Sequence, residues 1–366
     1  MSKTAKHLII GSTEACSGKS TLSVAIGSQL QEIGFQVGWG KPLASVDTLG
    51  HGLERLDTDL SFVPTTLSLV PDEQPPNLLS LDSRTLLDRL HQESVQTLDD
   101  VLKHYWENAQ GDILLLEGPS TLDEGALFNL SLPEMATALD AQVLLVMQFD
   151  TRSMVDQLVA ARKRLGDALL GVVLNSIREE EAGLVSDEIV PYLERQGLPV
   201  LATLPKLSFL QGIRVSELVR YLDAEVLCGD DHLDLVVESL KIGAMNVNSA
   251  LRFFGQGSHQ AIVTGGDRRD LQIAALETST HCLILTGQIP PAKDVLAFAK
   301  DKEVPVLSVA TDTLTTVEQV DSLFGRVPLN NPDKVSLIKE HLSRDVNVER
   351  LITLMGLEMP AIAPHG

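Results

Sequence analysis

The sequence predicts an α/β protein: a doubly wound parallel sheet over residues 1–214, a smaller α/β domain over 215–325, and a short helical C-terminal tail over 326–366. Three observations carry this. Short apolar runs recur at His7–Gly11, Phe35–Gly40, Asp112–Glu117, Ala141–Gln148, Ala168–Asn175 and Pro199–Leu204, with helical stretches between most of them. Strands covered on both faces read as such continuous runs, and their alternation with helices means a parallel sheet. The rhythm restarts near Val215 and yields three further buried strands, Gln260–Thr264, Cys282–Thr286 and Pro305–Ala310. At 366 residues the chain also exceeds one typical domain.

Taken in order, the first strand ends at Gly11. A loop of small residues follows, then Gly18-Lys19-Ser20, then an amphipathic helix from Thr21 to Leu30 that Gly34 stops. Strand, loop and helix are the context of a P-loop, whose backbone N–H groups and helix N-terminus wrap a phosphate. Lys19 would reach the β- and γ-phosphates and the Ser20 hydroxyl would hold Mg²⁺. The usual spacing places glycine five residues before Gly18; Thr13 stands there, with a glycine at Gly11 instead. The second strand runs into Lys41-Pro42-Leu43-Ala44-Ser45. From Val46 to Ser83 the pattern weakens, carrying Asp47, Asp57 and Asp59 and then a loop at Pro71–Pro76. Helices are expected at 83–108, 151–165 and 179–196 in the first domain. In the second, 217–222 reads as helix, 225–228 as extended and 232–240 as helix. The tail reads as helix from 332 to 357, with 359–366 loose.

Composition narrows the function. Lys and Arg number 29 against 50 Asp and Glu, a net charge of −21. No basic patch offsets it, so neither nucleic acid nor an anionic membrane surface is an expected partner. A nucleotide is still allowed, because a P-loop binds phosphate through local N–H groups and one lysine. Cys16, Cys228 and Cys282 are too few and scattered for a disulfide framework or a zinc site. With no signal peptide and no membrane-length apolar run, a cytoplasmic location is expected.

The chemistry gathers at strand ends. Lys19 and Ser20 lie in the loop, Lys41 ends the second strand and Glu117 ends the Asp112–Glu117 strand. In a doubly wound sheet these ends lie side by side, and a lysine, a hydroxyl and a carboxylate there suit Mg²⁺ and nucleotide. Taken singly, Lys41 and Glu117 read equally well as a solvated lysine and an exposed strand-end acid. Cys16 sits inside the loop, near a helix N-terminus and Lys19. It is either a reactive thiolate or, as the plainer alternative, a small buried residue filling the loop. In the second domain the strand ends deliver Gly265-Gly266-Asp267-Arg268 and Asp312-Thr313 to one edge, where a second anionic small molecule is expected. An equal alternative is a tight strand-to-helix turn capped by Asp267.

These residues also carry a resemblance. Gly11-Ser12-Thr13-Glu14, Ser17-Gly18-Lys19-Ser20, Lys41-Pro42-Leu43-Ala44-Ser45 and Leu116-Glu117-Gly118 resemble dethiobiotin synthetase and its ATP-dependent relatives, whose P-loop also has threonine at the first glycine position. The resemblance implies nucleotide contacts at Thr13, Glu14, Ser17, Gly18, Lys19, Ser20, Thr21 and Asn175. It further implies Mg²⁺ ligands at Ser20, Glu117 and Asp59, with Asp57 as the alternative acid, and catalytic roles for Lys19 and Lys41. The synthetases follow their Glu-Gly with a Gly-rich substrate loop; Pro119-Ser120-Thr121-Leu122 departs from it. Ile262-Val263-Thr264-Gly265-Gly266-Asp267-Arg268-Arg269-Asp270 is similar to the DRTGG family motif, with Arg269 where that motif has threonine. The two in this order resemble the N-terminal region of long phosphotransacetylases, without their catalytic domain. What this implies is a cytosolic metabolic regulator that binds ATP and Mg²⁺ with slow or no hydrolysis, has no phosphotransacetylase activity, and forms a dimer or higher homo-oligomer. The alternative is an ATP-dependent ligase of the dethiobiotin synthetase type acting on a carboxylate or amine.

Overall fold

The structure, a computed structural model, describes residues 5–45, 47–49, 53–55, 57–70, 74–91, 102, 111–207, 210, 212–324 and 332–360. The chain divides into two compact units: Met1–Lys206 together with Pro328–Gly366, and Leu207–Val327.

The first unit is built on six parallel strands: β1 (Lys6–Ser12), β2 (Val37–Gly40), β3 (Ile113–Glu117), β4 (Gln142–Gln148), β5 (Leu169–Ile177) and β6 (Val200–Pro205). Their order is β6-β5-β4-β1-β3-β2. The chain leaves β1 towards the β3–β2 side and later crosses to β4, so the direction of winding reverses beside β1. Open parallel sheets bind ligands outside the strand ends at such a reversal. The strands are apolar throughout because both faces are covered: Leu8–Ile10, Leu114–Leu116, Val143–Val146 and Val172–Leu174 are all buried. Helix α1 (Lys19–Ile33) buries Leu22, Val24, Ala25, Ile26 and Leu30, and Gly34 ends it with φ +107° while its N–H bonds back to Leu30 and Gln31. Helix α2 (Asp59–Thr66) follows in the weakly patterned stretch, along with two short strand pairs.

The helical C-terminal tail expected over 326–366 groups with the first unit from Pro328 onwards. The Asn347 N–H donates to the Leu201 carbonyl at 2.9 Å, and Arg350 holds both oxygens of Glu194 at 2.7 and 2.8 Å. Val348, Leu351 and Ile352 are buried. The helix expected at 83–108 is present over Ser83–Leu90, with Asp82 accepting the Thr85 N–H; residues 92–101 and 103–108 lie outside the described residues, as do 71–73 of the expected loop and 361–366 of the expected loose end.

The second unit carries β7 (Glu225–Cys228), β8 (Ser239–Gly243), β9 (Gln260–Gly265), β10 (Thr280–Thr286) and β11 (Val306–Ser308), in the order β7-β11-β10-β9-β8. Only β7 is antiparallel to its neighbour. Ala261 and Val263 pack into one core and Ile262 into another, as the two-residue period of a strand requires. The helix expected at 232–240 is absent. Residues 236–237 and 239–243 are strands, paired with Ile213–Arg214 and β9 respectively. The adjacent β-branched Val236 and Val237 suit a pleated surface, and pairing outweighs the weak helical pattern.

The packing of the C-terminal segment is testable. Leu351 is fully buried. Leu351→Ala is expected to cost about 2–5 kcal/mol of first-unit stability by leaving a cavity. Urea unfolding followed by the fluorescence of buried Trp39 would read it; an unchanged midpoint would mean the segment adds nothing to this core.

Candidate functional site

The loop between β1 and α1 is held from three sides. Gln148 at the end of β4 donates from its backbone N–H to the Glu14 carboxylate at 3.1 Å and from its side chain to the Cys16 carbonyl at 2.8 Å. Asn175 in β5 donates to the Ser17 carbonyl at 2.8 Å. The Thr13 hydroxyl donates to Gln157 at 3.0 Å, which is what the threonine does where a glycine is usual. Gly18 has φ +103°, and a Cβ there would fall 2.6 Å from the Asn175 amide nitrogen; both facts require glycine. Gly11 has a different reason: a Cβ would lie 2.4 Å from a methyl of Leu132. Thr21 is half-buried in the first turn of α1. Cys16 is exposed, with φ 56°, so it does not fill the loop as a buried residue.

Lys19 is buried and donates to the Ser12 hydroxyl at 3.0 Å, while Ser12 donates to the carbonyls of Glu14 and Ser120, each at 2.9 Å. Burial pulls the Lys19 ammonium below the ordinary lysine range, and Glu117 opposes that pull. The Ser20 hydroxyl donates to Asp59 Oδ2 at 2.8 Å. Lys41 stands at the centre, with its Nζ 2.6 Å from Asp57, 2.7 Å from Glu117 and 3.3 Å from Asp59. Burial alone would lower its pKa, but the carboxylates of Glu117, Asp59 and Asp57 outweigh it and hold the ammonium above the lysine range. Burial pushes Glu117 up, against the pull of Lys41.

Strand geometry explains the meeting. Glu117 is the last residue of β3 and pairs in register with Ile10, two residues before β1 ends at Ser12. Lys41 follows directly on β2, which neighbours β3. Asp59 opens α2, and its N–H donates to Asp57 Oδ1 at 3.1 Å. The structure thus brings together Lys19, Ser20, Lys41, Glu117 and Asp59, and it adds Asp57 as an equal partner of Lys41. Sequence reasoning missed Ser12, the partner of Lys19; a hydroxyl at the end of the strand before the loop was the available signal. It also missed Glu124, which accepts the Ser120 N–H in the loop that departs from the synthetase pattern.

These residues fit a magnesium-bound nucleotide. Ser17 Oγ and Glu117 Oε2 are buried without a hydrogen-bond partner, a condition that costs about 1–3 kcal/mol per group. The groups facing the loop are oxygens from Ser20, Asp57, Asp59 and Glu117, the hard donors that Mg²⁺ takes. Among the described residues no set of three or more His, Cys, Asp or Glu stands ready as a metal cage. A P-loop site does not need one, since phosphates and water complete the Mg²⁺ shell.

At the second unit's edge the polar groups satisfy one another. Arg268 holds Asp270 at 3.1 Å and the Met245 carbonyl at 3.0 Å. Arg269 pairs with Asp294. Asp312 caps the helix Thr313–Leu323 by accepting from the N–H groups of Leu314 and Thr315, and Thr313 bonds Thr286 at 2.8 Å. The N-cap of the helix after Gly265-Gly266 is Arg268, so Asp267 does not cap it. Gly266 is needed because a Cβ would lie 2.1 Å from the Ile289 carbonyl oxygen, and a Cβ at Gly265 would lie 2.5 Å from the Asp267 carboxylate. Among the described residues, no helix is long and apolar enough to cross a membrane.

The role of Asn175 can be checked directly. Asn175→Ala removes the bond that pins the Ser17 carbonyl. It is expected to raise hydrogen exchange in the loop and weaken phosphate capture by roughly fivefold, as a lost hydrogen bond of ~1 kcal/mol implies. Unchanged exchange over residues 14–18 would remove Asn175 as the loop's anchor.

Comparison with known proteins adds the following. The AAA domain family model matches residues 6–214, and the DRTGG domain model matches residues 217–323. Phosphate acetyltransferase of Nitratidesulfovibrio vulgaris is 26% identical, the match covering 94% of this chain and 52% of that protein. Phosphate acetyltransferase of Nitrosomonas europaea is 22% identical, covering 93% and 50%. The chain therefore spans about half the length of the curated relatives it matches. Among solved structures, a nucleotide-binding protein in complex with ADP from Archaeoglobus fulgidus is 16% identical with a TM-score of 0.34, covering 56% of this chain and 82% of that one. The CBS and DRTGG domains of the regulatory region of Clostridium perfringens pyrophosphatase, complexed with diadenosine tetraphosphate, are 20% identical with a TM-score of 0.27, covering 30% and 47%. With a match over more than half its length, and with the strand, loop and helix of the P-loop in place, the chain belongs to the AAA domain family, and a DRTGG domain follows in its second unit.

Proposed function

We propose that the protein is a nucleotide-binding regulator: ATP with Mg²⁺ occupies the first unit, and the DRTGG unit senses a second ligand or mediates assembly. The observation that carries this reading is the buried Lys19 at the foot of α1, held by Ser12 beside an unsatisfied Ser17 hydroxyl. At contact distance Lys19 has the neutral Ser12 hydroxyl, with Glu117 acting from further off, and a triphosphate would supply a direct anionic partner. In this reading the loop N–H groups and Lys19 bind the β- and γ-phosphates. Ser20, Asp59 and Glu117 would hold Mg²⁺, which when bound spreads the charge of the phosphate oxygens. Asn175 keeps the loop open, and Glu14 fixes it to β4. Slow or no ATP hydrolysis is what a regulator of this kind would show.

A second reading, an ATP-dependent ligase of the dethiobiotin synthetase type, draws support from Lys41. Its ammonium sits where it could stabilise a transferred phosphoryl group. Phosphate release that appears only with an added carboxylate or amine would favour the ligase; slow release independent of such additions would favour the regulator.

Calorimetry tests the shared step. Lys19→Ala is expected to weaken ATP binding by about 1.5–3 kcal/mol, the worth of a hydrogen bond to a charged group. Equal affinity in wild type and variant would remove the P-loop assignment. For the second unit, an anionic ligand would have to draw Arg268 away from Asp270. Stabilisation of the full chain by a nucleotide or phosphorylated metabolite that survives Lys19→Ala but is lost in Arg268→Ala is the expected signature. A solution mass altered by Arg268→Ala, with no ligand effect, would make this edge an assembly surface instead.

A further inference from the structure

The nucleotide reading leaves one arrangement unexplained: an ammonium lies where a divalent cation should bind. Lys41 Nζ contacts Asp57, Asp59 and Glu117 at 2.6, 3.3 and 2.7 Å with a side chain only 10% exposed. Asp59 Oδ2 accepts from Lys41 and from Ser20 at once. So the hydroxyl and both acids assigned to Mg²⁺ are engaged in one network with Lys41. The Asp57 and Glu117 contacts, at 2.6 and 2.7 Å, are in the range of charge-assisted hydrogen bonds. Glu117 adds an independent pointer. Its side chain is 2% exposed, its Oε1 binds Lys41, and its Oε2 is buried with no partner. One ammonium does not satisfy this carboxylate.

We propose that Lys41 is an internal counter-cation that holds the metal ligands closed until nucleotide arrives. Without nucleotide, the ammonium neutralises part of the charge of three carboxylates and excludes divalent metal. With a metal-bound triphosphate present, Ser20, Asp59 and Glu117 would hold the metal, and Lys41, released from them, would pair with phosphate oxygens. Charge drives the exchange in both directions. Three carboxylates and two lysines sum to −1, so a divalent cation would carry the buried cluster to +1 unless new anionic oxygens accompany it. Nucleotide and metal therefore bind as a unit, and free metal binds poorly. This inference rests on the nucleotide reading for its second half, while its first half concerns the nucleotide-free protein alone.

The test uses Mn²⁺ as the probe, with its paramagnetic resonance signal reporting free ion in the full chain without nucleotide. Wild type is expected to leave Mn²⁺ free up to the millimolar range. Lys41→Met, which keeps length and loses charge, is expected to bind Mn²⁺ at least tenfold more tightly, and Lys41→Arg is expected to behave as wild type. Adding Glu117→Gln to Lys41→Met should abolish the gain. If Lys41→Met does not keep its fold by circular dichroism, Lys41→Gln, which retains hydrogen bonds without charge, takes its place. Tight Mn²⁺ binding by nucleotide-free wild type overturns the proposal, and so does the absence of any gain in a folded charge-free variant. ATP binding by calorimetry on the same wild-type sample separates the two failures. Intact ATP binding with no metal gain rejects the counter-cation, whereas lost ATP binding rejects the nucleotide reading itself.

Discussion

A buried carboxylate at the end of a buried strand constrains the whole first unit. Glu117 is 1% exposed and closes an otherwise apolar β3. An unpaired charge there would be strongly destabilising, by about 3–5 kcal/mol on the evidence of broken buried pairs. The partner must come from a neighbouring strand end, and Lys41 supplies it from β2. Lys41 in turn gathers Asp57 and Asp59 from the start of α2, and Asp59 reaches Ser20 on α1. Three successive segments of the chain are thereby tied to β3 through one ammonium. The register of β3 against β1 then decides how far this cluster stands from the loop.

The overall charge of −21 does not conflict with a phosphate site. Exposed charges beyond about 8 Å are largely screened at physiological salt, while the loop offers N–H groups and a buried lysine at contact distance. The two units differ in what they leave unsatisfied. The first keeps Ser17 Oγ and Glu117 Oε2 without partners beside its loop. In the second, Arg268, Asp312 and Thr313 already have partners, and the orphaned oxygens of Gln260 and Gln272 belong to side chains that anchor backbone through their nitrogens. Free hydrogen-bonding capacity is what a small ligand exploits, and the first unit holds it where the sheet reverses.

The loop after Glu117 is tied to the P-loop by hydrogen bonds of its own. Glu124 turns back to accept the Ser120 N–H, and Ser120 accepts from Ser12. Pro119-Ser120-Thr121-Leu122 thereby becomes a strut between β3 and the P-loop, in place of the Gly-rich loop that the synthetase resemblance leads one to expect. Leu122 is buried in the core, which anchors the strut.

The sheet of the first unit, the P-loop and most of the second sheet were legible in the order of the residues alone. The reason is local: a strand buried on both faces must be apolar along its length, and Gly18 and Gly34 mark backbone conformations that other residues resist. Glu117 and Lys41 were legible as candidates for the same reason, since both end strands. Only tertiary structure decided that Asp57 and Asp59 both converge on Lys41, that Ser12 holds Lys19, and that Arg268 is already paired. Those contacts join residues distant in sequence, or depend on rotamers, and neither leaves a periodic trace. Tertiary structure likewise turned residues 236–243 into strands and packed the C-terminal helix against the first unit, because hydrogen-bond pairing and burial outweigh a weak local helical preference.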